Sequence, residues 1–288
     1  MHSGFHSLPN EILYKIKDCI KDSDLRTHVC FYNTCTRVAA LYNDGGEAKG
    51  EAFWHRCCQL AGLGRGPADQ YIPWKRFAFD VISEDGFCSH PCCGSALLEY
   101  NASKMEEAIH RCSNTWSNAM IPASTALAPA DLHPHQLLRF ISFSERGRPH
   151  LRRSTSPTDP SWLSEHALPR RSFATFPPTD FMKLTIINNR TSWYLAQETG
   201  LAVADIVGMV QQQWHAETSP ADLYELLCGP YIEYVPKDWT ILDILSRLQI
   251  YGKIFELARW DGLDFDEVER GFRVRFEHLT QDSHWRSC

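Results

Sequence analysis

Residues 8–13 read Leu8-Pro9-Asn10-Glu11-Ile12-Leu13, and the pattern that they begin decides how the first part of the chain folds. Apolar side chains recur every four positions, at Leu8, Ile12, Ile16 and Ile20. This spacing puts them on one face of an α-helix. Pro9 suits the first turn, where its missing N–H costs nothing, and the charge of Glu11 is favourable near a helix N-terminus. The sequence therefore predicts an amphipathic first helix.

Helical periodicity continues to Leu63. Asp22-Ser23-Asp24 can cap a second helix with Leu25 and Val29 facing inward, and a third helix holds Val38. The polar, glycine-rich residues 43–51 separate these from a short helix around Trp54. Three short helices of ~40 residues bury too little surface to be stable alone, so their remaining apolar stripe needs a partner. That partner could be another protein or the second half of this chain.

Composition excludes several classes of protein. The 288 residues are 43% hydrophobic, which is enough for one large or two modest globular domains. The net charge of −6 provides no basic field for nucleic acid or anionic lipid. The N-terminal residues lack the pattern of a secretory signal, and no apolar run reaches the roughly 18 residues of a membrane span. We therefore expect a cytoplasmic or nuclear protein, whose eleven cysteines stay reduced.

The middle of the chain is less regular. Helices are predicted over 74–82 and 102–111, with a cysteine-bearing loop from Cys88 to Gly94 between them. Residues 145–178 are rich in arginine and proline and show little apolar periodicity. They are predicted to be a linker or a long surface loop, with disorder as the alternative.

The last part of the chain alternates between strand and helix patterns. Strands are predicted over 181–187, 192–196 and 272–279, and helices over 203–214 and 240–259. The expected fold class is α+β, with an N-terminal helical module followed by a mixed α+β domain that contains a small antiparallel sheet.

The N-terminal motif resembles the F-box family. Four elements follow one another in the order of that family: the Leu-Pro start, the pair Glu11-Ile12, the pair Asp24-Leu25 and the aromatic pair Phe53-Trp54. The resemblance covers residues 8–56. The chain departs from the family pattern at Lys17 and Lys21, where aliphatic residues are usual, and in the longer glycine-rich loop before Phe53.

This resemblance implies a non-catalytic substrate receptor of a cullin-RING (SCF-type) ubiquitin ligase, with no cofactor. Its partners would be a Skp-type adaptor, the cullin scaffold behind it and an unknown protein target. The family pattern assigns contact with the adaptor to ten positions: Leu8, Pro9, Glu11, Ile12, Ile16, Ile20, Leu25, Val29, Val38 and Trp54. The alternative is an F-box-like interaction scaffold outside ubiquitin ligases.

A second resemblance covers parts of the remaining chain. Residues 173–178, 200–207 and 260–263 are similar to a domain of unknown function found in fungal proteins. In an F-box protein this region would bind the target. The expected organisation is an F-box at 1–63, a helical extension with a cysteine-containing loop at 64–144, a linker or surface loop at 145–178, and a target-binding domain at 179–288.

One cluster of metal-ligand residues stands out. Zinc requires four nitrogen or sulfur donors in a tetrahedron, and Cys88, Cys92, His110 and Cys112 could supply them. Their spacing is not that of a zinc finger, so we predict reduced cysteines and no metal. A zinc-binding module, or a metalloenzyme built on Cys88 to Cys112, is the alternative.

The remaining motifs do not support catalysis. The acidic residues between Asp261 and Glu269 lack the glycine and the glutamate of an EF-hand loop, which favours a solvated turn. No Gly-x-Ser-x-Gly, His-Glu-x-x-His or P-loop motif is present, so an enzyme is not expected. Trp193, Trp214, Trp239 and Trp260 are expected in the core, with a recognition groove as the alternative.

Overall fold

The computed structural model describes residues 8–88, 90, 92–112, 132–144, 146–151, 161–185, 192–228, 235–248, 252, 260–266 and 271–276. The first part is helical, with α1 (Asn10–Cys19), α2 (Leu25–Tyr32), α3 (Thr36–Tyr42), α4 (Glu47–Leu60), α5 (Trp74–Glu84) and α6 (Ser95–Arg111). The predicted helices are confirmed, although α4 begins inside the predicted loop. It does so because Gly46, at a φ of 96°, turns the chain in a conformation that favours glycine.

The second part combines short strands and helices. A short 3₁₀ turn, Pro67–Asp69, already stands between α4 and α5. After α6 the elements are β1 (His133–Pro134), the 3₁₀ turn Gln136–Phe140, β2 (Ile141–Phe143), β3 (Pro149–Leu151), β4 (Ser161–Trp162), the 3₁₀ turn Leu163–Glu165, α7 (Ala167–Arg171), β5 (Thr175–Phe176), β6 (Phe181–Thr185), β7 (Ser192–Ala196), α8 (Val203–Gln213), α9 (Pro220–Cys228), α10 (Ile241–Arg247), β8 (Trp260–Asp266) and β9 (Gly271–Phe276).

The strands form small sheets. Four of them lie in the order β7-β6-β9-β8, where β6 pairs antiparallel with β7 and β8 antiparallel with β9. A parallel pairing of β6 with β9 joins the two hairpins. Smaller antiparallel groups are β2-β3-β4 and β1-β5. The predicted α+β class is confirmed.

Residues 161–178 correct one prediction. They are not a surface loop, because they hold β4, α7 and β5, and residues 171–179 are all buried. Backbone bonds explain how this irregular stretch is held: Phe173 N–H donates to Gly62 O at 2.9 Å and Ala174 N–H donates to Leu201 O at 2.8 Å. Side-chain periodicity could not reveal it, since the pairing is through the main chain to segments far away in sequence. Residues 152–160 lie outside the described residues.

The acidic region near the C-terminus corrects a second prediction. Asp261, Asp264 and Asp266 lie in β8 and not in a solvated turn. Arg275 of the adjacent strand β9 reaches the carboxylates of Asp261 at 2.5 Å and Asp264 at 3.2 Å. Opposite charges on neighbouring strands stabilise the pairing. Glu267 and Glu269 lie outside the described residues.

Two helices differ from expectation. The helix predicted over 240–259 is described only as α10, which ends at Arg247, and most of the remainder lies outside the described residues. Thr240 caps it, because its hydroxyl accepts from Asp243 N–H. Helix α9 (Pro220–Cys228) was not predicted.

The core is continuous. Its largest cluster of buried apolar residues runs from Leu13 in α1 to Val274 in β9. Helix α5 packs against α2, α4 and α7, and so connects the N-terminal helices with the second half. Part of the apolar surface of the N-terminal helices is therefore covered inside this chain.

Candidate functional site

The start of α1 presents predicted docking residues to solvent. Pro9 and Glu11 are exposed, and Ile12 is 40% exposed. The neighbouring Leu13 is fully buried, so it anchors the helix while Ile12 points outward. Leu8, Ile16 and Ile20 are half-buried against the core. We call the six predicted residues of this region the α1 face: Leu8, Pro9, Glu11, Ile12, Ile16 and Ile20.

Polar contacts hold α1 in place. The guanidinium of Arg37 in α3 donates to Leu8 O at 3.0 Å and to the Asn10 side chain at 2.6 Å. Lys17, which departs from the family pattern, donates to Leu41 O at 3.1 Å, and its ammonium lies 4.8 Å from the centre of the Tyr42 ring. A cation there meets the carbonyl end of α3 and an aromatic face, which are both favourable environments. Lys17 thus ties α1 to α3.

The other four predicted docking residues are buried. Leu25, Val29, Val38 and Trp54 are between 0% and 5% exposed. Trp54 stacks on Tyr42 with ring centres 5.2 Å apart and lies edge-on to Phe79 of α5. A partner cannot reach these side chains without opening the core. Their role is internal packing, so that of the ten predicted docking residues only those of the α1 face are open to solvent, fully or in part.

The cysteine-bearing loop brings together a different set from the one predicted. Cys88 Sγ and Cys93 Sγ lie 3.0 Å apart. Cys93 also belongs to a group with Asp85 and His166 whose donor atoms all lie within 4.8 Å of one another. Among the described residues, Cys92, His110 and Cys112 join no such group of three or more. Cys92 and Cys112 are buried, whereas His110 is exposed.

Asp85, His166 and Ser161 form a hydrogen-bonded chain. His166 Nδ1 lies 3.1 Å from Asp85 Oδ1, and its Nε2 bonds the Ser161 hydroxyl. The other oxygen of Asp85 accepts from Leu168 N–H at 2.8 Å. This order of groups is that of a hydrolytic triad. Ser161 is only 6% exposed, however, and a nucleophile must reach its substrate. The arrangement orients His166 instead.

A second buried polar network lies where α6 meets the central segment. His135 Nε2 bonds Asn101 Oδ1 at 2.7 Å, and Asn101 Nδ2 donates to Ser172 Oγ at 2.9 Å. The Nδ1 of His135 accepts from Leu137 N–H at 2.8 Å. Complete burial lowers the pKa of His135 to about 3. The imidazole is therefore neutral, with its proton on Nε2 facing Asn101.

A buried ion pair lies close to this network. Arg171 Nε and Nη2 donate to the two carboxylate oxygens of Asp69 at 3.0 and 2.7 Å. Arg171 is 4% exposed and its guanidinium lies 4.8 Å from the centre of the Phe77 ring. The sequence held one signal for these centres: Asn101 interrupts the apolar stripe of α6, where a buried amide needs partners. Nothing marked the pairing of Asp69 with Arg171, which are far apart in the chain.

The second half buries two of the four tryptophans that were expected in the core. Trp214 and Trp260 are each 2% exposed, while Trp193 and Trp239 are half-buried. An aromatic pair is exposed instead, because Phe181 in β6 stacks on Tyr194 in β7 with ring centres 5.9 Å apart. Strand β7 is an edge strand of its sheet. Exposed aromatic side chains on an edge strand are features that binding surfaces use.

Comparison with known proteins identifies no relative. No family model, curated protein or solved structure matches the chain. Within the described part of the chain, every helix is too short or too polar to cross a bilayer.

Proposed function

We propose that this chain is the substrate receptor of a cullin-RING ubiquitin ligase, acting in the cytosol or nucleus, and that it binds a Skp-type adaptor through the α1 face. The observation that carries the proposal is the exposure of Ile12 beside Pro9 and Glu11, at the positions of the F-box motif. An isoleucine held outward by a rigidly anchored helix is a ready contact for an apolar groove.

The receptor would act by proximity and would need no catalytic residue. With the adaptor on the α1 face and a protein target on the second half, ubiquitin transfer becomes effectively intramolecular. The exposed pair Phe181 and Tyr194 is the first region in which we expect target contacts. The continuous core supports such a role, because a rigid receptor fixes the distance between its two partners.

The substitution Ile12→Asp tests the docking surface. We expect it to weaken binding of a purified Skp-type adaptor at least tenfold, because the new carboxylate would lose its hydration inside the interface. Binding is measured by calorimetry or biolayer interferometry. Because Ile12 is outside the core cluster, the variant should keep the wild-type unfolding midpoint.

The matched control is Ile241→Asp, which makes the same chemical change at a 65% exposed position in α10. It should bind the adaptor as the wild type does. Equal affinity of the two variants would reject the α1 face, and failure of the wild type to bind would reject the F-box assignment.

Co-capture of the cullin separates a ligase receptor from a scaffold outside ligases. Wild-type protein should capture adaptor and cullin together, and Ile12→Asp should lose both. A captured protein counts as a target only if its half-life lengthens in cells that express Ile12→Asp. Adaptor binding without the cullin would favour the scaffold.

A further inference from the structure

Three metal-ligand side chains from two distant segments meet, and a fourth lies beside one of them. Asp85 lies at the end of α5, Cys88 and Cys93 lie in the loop that leads to α6, and His166 precedes α7. The Cys88 and Cys93 sulfurs are 3.0 Å apart, and Asp85 Oδ1 is 3.1 Å from His166 Nδ1. The donor atoms of Asp85, Cys93 and His166 all lie within 4.8 Å of one another, whereas Cys88 Sγ lies outside this group and would have to move towards it on binding. We infer that Asp85, Cys88, Cys93 and His166 bind one structural zinc ion.

The distances suit zinc. Tetrahedral ligands at ~2.1 Å from the ion are about 3.4 Å from each other, close to the observed separation of Asp85 and His166. Two thiolates at ~2.3 Å from the ion are about 3.8 Å apart, so the sulfurs would separate slightly on binding. Two sulfurs, one imidazole nitrogen and one carboxylate oxygen are all donors that zinc accepts in proteins.

Neighbouring groups already hold three of the ligands in position. Ser161 bonds Nε2 of His166 and so fixes the ring, whose Nδ1 would exchange its hydrogen bond to Asp85 for the metal, with the ring proton then on Nε2. Leu168 N–H holds the second oxygen of Asp85. The backbone N–H of His90 donates to Cys88 Sγ at 3.4 Å and so holds that sulfur in place.

A glycine makes the loop possible. Gly94 has a φ of 85°, and a Cβ added there would collide with the backbone carbonyl of Cys88. Only glycine lets the chain fold back closely enough to bring Cys88 beside Cys93. Cys92 and Cys112, which the sequence analysis grouped with Cys88, join no group of three or more potential ligands among the described residues.

The site is closed, as structural zinc sites are. The side chains of Asp85 and His166 are 6% and 12% exposed, and Cys93 is fully buried. Zinc binding would release the two thiol protons to solvent. The ion would join two segments 81 residues apart in the chain, at the junction of the helical part with α7. This role does not depend on adaptor binding.

A second group of potential ligands is weaker. The donor atoms of Asp22, His28 and Cys57 also lie within 4.8 Å of one another. They number three, and the Asp22 carboxylate is paired with Arg56 at 2.9 Å. His28 Nδ1 bonds the Tyr42 hydroxyl at 3.0 Å. A structural zinc site needs four ligands, and this group offers three.

The test measures zinc in the purified full-length chain. After expression with zinc, purification under reducing conditions and dialysis, elemental analysis should give one zinc per chain. The Cys88→Ser, Cys93→Ser double variant should contain none. Ser161→Ala should keep the ion and weaken its affinity about tenfold to a hundredfold in competition with a chelator, since Ser161 only positions His166.

The control is the pair Cys19→Ser and Cys30→Ser, which replaces two exposed cysteines and should retain one zinc. If the double variant does not fold, Cys88→Ser alone replaces it, because Cys88 is the half-exposed cysteine of the two. The wild type is then also loaded with cobalt, and its visible spectrum should be that of tetrahedral cobalt bound by thiolates. Wild type without zinc, zinc retained by the double variant, or a Cys88–Cys93 disulfide that persists under the reducing conditions would each overturn the inference.

Discussion

Replacing Asp69 with alanine is expected to destabilise the protein by about 3–5 kcal/mol. The change leaves the Arg171 guanidinium charged and buried after its two hydrogen bonds, at 3.0 and 2.7 Å, have gone. Neither water nor another carboxylate replaces them at a side chain that is 4% exposed. The measurement is urea unfolding followed by circular dichroism, in which the midpoint should shift strongly to lower denaturant.

A surface ion pair is the matched control. Asp22→Ala removes the partner of Arg56, whose side chain is 67% exposed, and should cost at most about 1 kcal/mol. The double variant Asp69→Leu, Arg171→Met should recover much of the loss, because it removes both charges together. If Asp69→Ala and Asp22→Ala destabilise equally, the buried pair has no special weight.

Acid should destabilise the wild type through His135 by about 1 kcal/mol for each pH unit between pH 6 and 4. Burial lowers the pKa of His135 in the folded protein from 6.5 to about 3. Within that window the unfolded chain binds a proton at this position and the folded chain does not. The resulting stability is therefore complete above pH 6.5 and is lost as the pH falls.

The substitution His135→Asn isolates this contribution. An asparagine can still accept from Leu137 N–H at the start of the 3₁₀ turn but cannot titrate. The variant should be less stable at pH 7, since Asn101 Oδ1 loses its partner, and its stability should fall less steeply towards pH 4. Unfolding free energies at pH 7, 6, 5 and 4 provide the two slopes. Parallel slopes would contradict the buried, neutral imidazole. The control is His215→Asn, which makes the same change at an exposed position.

The test compares the pH slope of the wild type with that of His135→Asn, because other groups titrate in the same pH window. Burial also lowers the pKa of His28, which adds to the acid sensitivity. Asp205 acts in the opposite sense, because burial raises its pKa to about 6. Its folded form binds a proton between pH 3.8 and 6 that the unfolded form has lost, so its contribution to stability decreases as the pH rises.

The helices could be predicted because their signals are local. Such signals depend on residues within one or two turns, as in the apolar stripe of α1 (Leu8, Ile12, Ile16 and Ile20) and in the cap at Thr240. The strands β6, β7 and β9 were recognisable for the same reason, since alternation is a property of neighbouring residues. Which side of α1 would face outward was only partly visible, because Ile12 and Leu13 are equally apolar.

The buried centres could not be predicted, because each depends on contacts across the chain. Residues 171–179 have the composition of a loop, yet main-chain bonds to Gly62 and Leu201 hold them in the core. Asp85 lies 81 residues from His166, and Asp69 lies 102 residues from Arg171. No local spacing encodes such pairs. They are selected in the folded protein, because burying one charged or polar partner without the other would cost free energy.

The sequence by itself determined the N-terminal helices, the α+β class and the motif on which the proposed docking rests, since periodicity and capping act within a few residues. The tertiary structure alone decided which motif residues remain exposed, because α5 and Trp54 take up the apolar surface that helices α1 to α4 share. It also decided which cysteine stands beside Cys88, because backbone folding at Gly94, and not distance in sequence, brings Cys93 to it.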